Sequence, residues 1–197
     1  MKKLNLHQVE KELFAKNIKI FTPQDLSVMF GAGKRAVGGF LGYNVKKQAF
    51  VQLKKTLYSL RNDLPSEFVL ANRIYSPSYI SLDSALAYYH LIPETVYSVT
   101  SVTSKAAREF EAIGRSFEYH KIKKSAYAGY LPKLIDEEVV FIATPEKAAA
   151  DFLYFVWLGR RDFNDRLRWE NIDRVKLEKY LRLFGQKRLI SFVRKLQ

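Results

Sequence analysis

Residues 22–37 read TPQDLSVMFGAGKRAV, and this stretch sets the fold of the N-terminal part of the chain. Thr22 has the hydroxyl of a helix N-cap, a proline follows at the first helical position, and Asp25 stands where its carboxylate completes a capping box. The helix should end at Gly31, because glycine takes the positive φ that a sharp turn needs. Another helix should begin at about Lys34. The stretch therefore predicts a helix-turn-helix.

The flanking segments extend this pattern. Upstream, apolar residues recur at helical spacing from residue 4 to residue 14, and residues 18–20 alternate as in a short strand. Downstream, residues 50–53 and 57–60 read as two short strands joined by a basic turn. The predicted order of elements is therefore helix, strand, helix, turn, helix and hairpin. This is the order of a winged helix-turn-helix, which we place at residues 1–62.

The net charge of +13 is concentrated in this N-terminal part. Residues 1–61 contain twelve lysines or arginines against three acids, which gives a net charge of +9. Such an excess on a compact module attracts polyanions, and phosphate neutralisation with counterion release drives nucleic-acid binding. We therefore expect double-stranded DNA as a partner. The alternative is that the same three-helix unit mediates protein contacts.

In a winged helix-turn-helix the third helix enters the major groove and the hairpin loop contacts the DNA backbone. Val37, Phe40 and Leu41 form the expected buried stripe of that helix. Three glycines at positions 38, 39 and 42 leave few side chains for base contacts, so specificity should rest partly on DNA shape or on the wing. The predicted DNA-binding residues are Lys34, Arg35, Tyr43, Lys46, Lys47, Lys54 and Lys55.

Residues 63–197 form a second predicted domain of mixed α and β structure, which makes the fold class α+β. Pro65 should open a helix through Ala71. The other predicted helices cover residues 85–90, 148–158, 171–184 and 186–196. The predicted strands cover residues 96–103, 117–122 and 139–143.

Thr144 and Pro145 predict the start of the most apolar of these helices. Ala148, Phe152 and Phe155 are expected to face the core, and Lys147 is expected on the exposed side.

Enzymatic motifs are weak. The chain has no cysteine, so it has no disulfide, thiolate ligand or cysteine nucleophile. His7, His90 and His120 lack the spacing of metal ligands. The acids at 136–138 leave a metal-dependent nuclease as a minor alternative, although an acidic turn explains them as well. We expect no catalytic residue, metal or cofactor.

Two further expectations concern charge and location. The arginine-rich stretch at residues 160–168 is interleaved with acids, and we interpret it as a surface that neutralises itself. No apolar run is long enough to span a bilayer, and the N-terminus lacks the apolar core of a signal peptide, so we expect a cytoplasmic protein without membrane contact.

Three stretches carry a family resemblance. The first is Tyr79-Ile80-Ser81 with Ser84-Ala85-Leu86 and Leu91-Ile92-Pro93, and the second is Val102–Lys105 with Phe110, Phe117, Tyr119 and Ile122. The third is Ala143–Ala148 with Asp151, Leu153 and Tyr154. Their order and spacing resemble the AbiEi family of antitoxins from type IV toxin–antitoxin systems.

The resemblance implies a transcriptional autorepressor that binds its own promoter and acts as an antitoxin. It also implies a nucleotidyltransferase toxin as the functional partner, opposed without a stable complex. The residues by themselves leave another regulator open, in which the second domain senses a ligand or dimerises and no toxin exists. A nucleotidyltransferase reading frame beside the gene would separate these two interpretations.

Overall fold

The structure is a computed structural model that describes residues 4–196. Its mixture of helices and strands is α+β, as the sequence predicts. The chain forms two compact units. One runs up to Ser66 and includes Glu111–Gly114, and the other contains Glu67–Phe110 and the chain from Arg115 onward. None of the helices described is long and apolar enough to cross a membrane.

The first unit contains three helices and a small antiparallel sheet with the strand order β1-β3-β2. Its elements are α1 (Leu6–Ala15), β1 (Ile20–Phe21), α2 (Pro23–Phe30), α3 (Lys34–Lys46), β2 (Phe50–Lys54) and β3 (Leu57–Leu60). The three helices and the β2–β3 hairpin lie where the sequence predicts them. The first strand is shifted, because the Ile18 amide donates to Leu13 O (2.9 Å) in the turn after α1 and pairing begins only at Ile20.

Helix α2 begins and ends through the predicted local chemistry. The Thr22 amide donates to Asp25 Oδ2 (2.7 Å) and the Asp25 amide donates to Thr22 Oγ1 (3.2 Å), which is a complete capping box. At the other end Gly31 takes a left-handed conformation with φ of 62°. This turn directs α3 away from α2 while both helices bury a residue in the same core, Leu26 from α2 and Val37 from α3.

The second unit is built on a six-stranded sheet with the order β6-β7-β5-β4-β9-β8. Its strands are β4 (Ser78–Ile80), β5 (Val99–Thr103), β6 (Arg108–Ala112), β7 (Arg115–Lys121), β8 (Tyr130–Ile135) and β9 (Glu138–Ala143), and of these only the last two residues of β6 are grouped with the first unit. Its helices are α4 (Glu67–Ile74), α5 (Leu82–Tyr88), α6 (Pro145–Trp157), α7 (Arg174–Arg182) and α8 (Lys187–Arg194).

Three of these strands, β4, β6 and β8, are not predicted from the sequence. Strand β4 has only three residues, and they lie inside a motif that reads as a helix cap. Strand β6 has charged residues at three of its five positions, and the edge strand β8 contains Pro132 and Lys133. All three are strands because neighbouring strands supply hydrogen-bond partners, which local propensity does not report.

The acids at 136–138 belong to a hairpin. Asp136 and Glu137 have φ of 50° and 63° and join β8 to β9, whose first residue is Glu138. This is the geometry of a two-residue hairpin turn with positive φ at both central positions.

Helix α6 is the central helix of the second unit. Thr144 Oγ1 accepts a hydrogen bond from the Lys147 amide (3.3 Å), and Ala148, Phe152 and Phe155 are buried, as predicted. The prediction of an exposed Lys147 is wrong: its side chain is fully buried and forms an ion pair with Asp151 one turn later. Every residue from Lys147 to Phe155 is buried, so this part of the helix has no solvent-facing side.

Asp151 is the acceptor in a buried polar network. Lys147 Nζ donates to its Oδ1, while the Tyr79 hydroxyl (3.0 Å) and the Ser81 hydroxyl (2.8 Å) donate to its Oδ2. Burial, with the nearby charge of Asp151, raises the pKa of Tyr79 well above its ordinary value, so the phenol keeps its proton and donates. Ser81 precedes α5 at the cap position, but its hydroxyl serves Asp151 instead of the helix end.

Replacing Asp151 with alanine is expected to lower the free energy of unfolding by about 3–5 kcal/mol, because it leaves the Lys147 ammonium buried without its partner. The double variant Lys147→Met, Asp151→Leu removes both charges and should recover more than half of that loss, although Tyr79 and Ser81 keep an unmet donor each. Urea unfolding followed by circular dichroism measures both.

Asp165→Ala is the matched control, because Asp165 is an exposed carboxylate of the same unit and its loss should change stability by no more than about 0.5 kcal/mol. A double variant as unstable as Asp151→Ala would show that the unpaired charge is not the cause.

Candidate nucleic-acid interface

Helix α3 has a buried side and an open side. Val37, Leu41 and Asn44 are buried, and Asn44 Nδ2 donates to Phe40 O (2.8 Å) on the same helix. Positions 35, 39, 42 and 46 recur at helical spacing on the opposite side, and all four residues are exposed. The open side therefore presents two cations, Arg35 and Lys46, with glycines between them.

The predicted site residues on α3 and just after it are exposed. Lys34 and Arg35 lie in the first turn, and Tyr43, Lys46 and Lys47 lie about 12–20 Å further along the helix axis. Tyr43 is 61% exposed, and Lys47 Nζ lies 5.9 Å from the centre of its ring. The predicted stripe is correct for Val37 and Leu41, whereas Phe40 is only partly buried.

The two wing lysines differ from each other. Lys55 is exposed in the turn between β2 and β3, where Gln52 Nε2 donates to Lys55 O (3.3 Å) and to the Tyr58 hydroxyl (3.2 Å). Lys54 is half-buried, lies at a bulge in the hairpin, and already interacts within the protein. The structure therefore leaves Lys55 as the wing cation that is available to a ligand.

The cations of this surface are not neutralised by the protein. Within residues 4–196, no ion pair involves Lys34, Arg35, Lys46, Lys47 or Lys55. The chain contains no acid between Asp25 and Asp63, and two of the three acids in residues 1–25 have other roles: Asp25 caps α2, and Glu12 pairs with Lys16 (3.3 Å). The positive field over α3 therefore faces solvent.

A depression of about 570 Å³ lies beside α3, and no pattern in the sequence predicts it. It forms where the start of α1 comes close to the glycine-containing side of α3. Its lining residues are Leu4, Asn5, Leu6, Arg35, Ala36, Gly39, Phe40, Tyr43 and Asn44. The surface around Arg35 and Tyr43 is consequently concave and partly apolar.

The arginine-rich stretch of the second unit is paired differently from the expectation. Arg161 pairs with Asp83 of α5, lies 3.5 Å from Glu118 Oε2, and has its Nη2 3.0 Å from His120 Nε2. Hydrogen bonding to His120 lowers the pKa of Glu118. Arg166 pairs with Glu94. The neutralising carboxylates thus come from other elements of the fold, which sequence neighbours cannot indicate.

In residues 4–196, no group of three or more histidine, aspartate or glutamate side chains is arranged to hold a metal ion. Asp136 and Glu137 are exposed in the β8–β9 turn.

No model of a known protein family matches the chain, and no curated protein matches it either.

Proposed function

We propose that the first unit is a winged helix-turn-helix that binds double-stranded DNA, with α3 as the recognition helix and the β2–β3 hairpin as the wing. One observation carries the proposal: the open side of α3 displays unpaired cations around a row of glycines, next to an exposed wing lysine. The order of three helices and a terminal hairpin fits this motif.

The glycines of α3 are the most specific support. Glycine inside a helix costs about 0.5–1 kcal/mol relative to alanine. A Cβ atom placed on Gly38, Gly39 or Gly42 would meet no atom within 4 Å, outside the helix backbone next to it, so packing within the protein does not require any of them. A DNA backbone that approaches α3 closely is the ligand that these positions and the neighbouring cations would accommodate together.

For the biological role we propose a cytoplasmic autorepressor and antitoxin of the AbiEi type, opposing a nucleotidyltransferase toxin. Support comes from the residues that carry the resemblance. Tyr79 and Ser81 of the first stretch meet Lys147 and Asp151 of the third in one buried network, so motifs far apart in the chain specify one core. This supports a shared fold for the second unit, while the toxin itself follows only from the resemblance.

Salt dependence and alanine variants test the DNA contacts in the full-length chain. With four to six phosphate contacts, the plot of log K against log salt should have a slope of about −4 to −5. Lys55→Ala should weaken all duplexes alike and make the slope less steep by about 1. Arg35→Ala should reduce the preference for the promoter duplex over a scrambled duplex, by about 1–3 kcal/mol if it contacts a base.

Fluorescence anisotropy with both duplexes measures these effects. Lys16→Ala removes the same charge from the residue that follows α1 and serves as the control. Identical behaviour of Arg35→Ala and Lys55→Ala on the two duplexes would exclude the assignment of α3 as the recognition helix.

Alanine at Gly39 and Gly42 separates stability from binding. The double variant should be more stable by about 1–2 kcal/mol, because alanine favours the helix and both positions have room for a Cβ. It should nevertheless bind promoter DNA at least tenfold more weakly, since the methyl groups would keep the backbone of DNA from α3. Urea unfolding and anisotropy measure the two properties on one sample.

Gln8→Ala is the control, because it improves an exposed position of α1 without altering α3. Unchanged DNA affinity in the stabilised glycine variant would mean that DNA does not approach this side of α3.

Repression and protection should be separable in cells. The full-length double variant Arg35→Ala, Lys46→Ala should lose repression of its own promoter and still protect cells that express the neighbouring nucleotidyltransferase. A promoter reporter and growth curves at equal protein levels measure both activities. A variant that fails to protect despite normal abundance would place antitoxin activity in the first unit. If no nucleotidyltransferase gene lies beside this gene, only the proposal of a DNA-binding regulator without a toxin partner remains.

A further inference from the structure

The β8–β9 hairpin carries an unusual share of exposed apolar side chains. Ten large hydrophobic residues are at least one third exposed in the described part of the chain, and four of them belong to this hairpin: Leu131, Leu134, Val139 and Phe141. The other six are scattered over both units. Isolated exposed apolar residues are normal, whereas a contiguous group marks a contact surface.

The strand register places most of this group on one face. Pro132 lies opposite Phe141, and Leu134 lies opposite Val139, so these four side chains share a side of the hairpin. The residues that alternate with them in β9, Val140 and Ile142, are buried on the other side. We call Pro132, Leu134, Val139 and Phe141 the hairpin face.

The open edge of β8 is a poor place for strand addition. Strand β8 is the last strand of the sheet, but Pro132 has no amide hydrogen, and Lys133 points its ammonium over the rings of Tyr88 and Tyr89 at 4.7 and 5.0 Å. Proline and lysine are the residues that disfavour pairing at sheet edges. A partner of this hairpin would therefore pack on its face instead of extending its edge.

The two ends of the hairpin differ in charge. At the tip, Asp136 and Glu137 are exposed and Glu138 follows them, in a chain with a net charge of +13. At the base, the Thr144 amide donates to Gly129 O (2.9 Å), and Tyr180 of α7 packs so closely that a Cβ on Gly129 would come within 2.5 Å of its ring. Helix α7 therefore lies at the base of the hairpin.

That end of the molecule is strongly basic. Residues 174–196 contain eight lysines or arginines and one acid, and all eight cations are exposed. Lys176 reaches Glu146 at the start of α6 (3.8 Å), which brings the first turn of α7 next to the end of β9. Arg174, in the same turn, forms no ion pair among residues 4–196.

We propose that two copies of the chain pack their hairpin faces together about a twofold axis, with the hairpins antiparallel. A twofold interface uses the same patch on both copies, so the patch must be complementary to itself. Each strand spans about 20 Å, and an antiparallel arrangement therefore brings the acidic tip of one copy to the basic base of the other. The apolar faces meet in the middle, and the two acidic tips stay apart.

The size of the patch sets the expected strength. Four side chains on each copy form a small interface, below the area of tight complexes, with two symmetric charged contacts at its rim. We expect a reversible dimer with a Kd on the order of 10–100 μM. This dimer does not require DNA binding, so the experiments below test it independently of the proposed function.

Sedimentation equilibrium of the full-length chain from 5 to 500 μM, without DNA, tests the dimer. The Kd should rise at least tenfold for Leu134→Asp and for Phe141→Ser, and it should stay unchanged for Tyr97→Asp. Tyr97 is the matched control because it is a large apolar residue of the same unit that is 80% exposed and lies outside the hairpin. Thermal melting of each variant checks that the fold is kept.

A charge exchange tests the antiparallel arrangement. Glu137→Lys should weaken the dimer severalfold, and adding Arg174→Glu should restore it, because each tip would again meet an opposite charge. A monomer at every concentration overturns the proposal and leaves the face to a different protein. A dimer that Leu134→Asp and Phe141→Ser do not weaken, or one that the charge exchange does not restore, overturns the arrangement described.

Discussion

The Asp151 carboxylate is the group on which the second unit depends. A carboxylate without contact to water is very unfavourable unless donors surround it, and here Lys147, Tyr79 and Ser81 all donate to its two oxygens. These donors come from α6, from the central strand β4 and from the residue before α5. The network therefore allows only one alignment of α6 on the sheet, since any other would leave a buried charge unpaired.

This constraint explains why the motifs that resemble the AbiEi family are mostly structural. Tyr79, Ser81, Lys147 and Asp151 hold the core, and Thr144 caps α6. Asp83, which lies between Ser81 and Ser84 of the first stretch, pairs with Arg161, and this ion pair fixes the segment after α6. Residues of this kind define how a domain folds and leave its outer surface free to vary. The surface that acts on a partner must therefore be found from exposure and charge, as on α3 and on the β8–β9 hairpin.

In the first unit, one helix both packs into the core and carries the candidate binding surface. Val37 and Leu41 of α3 complete the apolar core, so the helix is held firmly without any contribution from its open side. That side can then carry glycines and unpaired cations that do not help the unit to fold. Binding is expected at a surface whose residues lower stability and are not needed for packing. The concave shape beside Arg35 and Tyr43 also favours binding on this side of α3.

Local sequence patterns predict the elements that form through interactions between residues close in the chain. The capping box of Thr22 and Asp25, the left-handed Gly31 and the apolar spacing of α3 act between residues close in the chain, so α2, the turn and α3 could be predicted almost to the residue. The exposed residues of the candidate site followed from the same spacing.

The other features of the fold depend on contacts between segments that are far apart in the chain. Lys147 was expected in solvent, because a lysine at a helix start is normally solvated, and only packing around all sides of α6 made Asp151 its partner. Likewise β4, β6 and β8 are strands through pairing with distant segments. The hairpin face exists because that pairing places Pro132 opposite Phe141 and Leu134 opposite Val139, a neighbourhood that no local pattern contains.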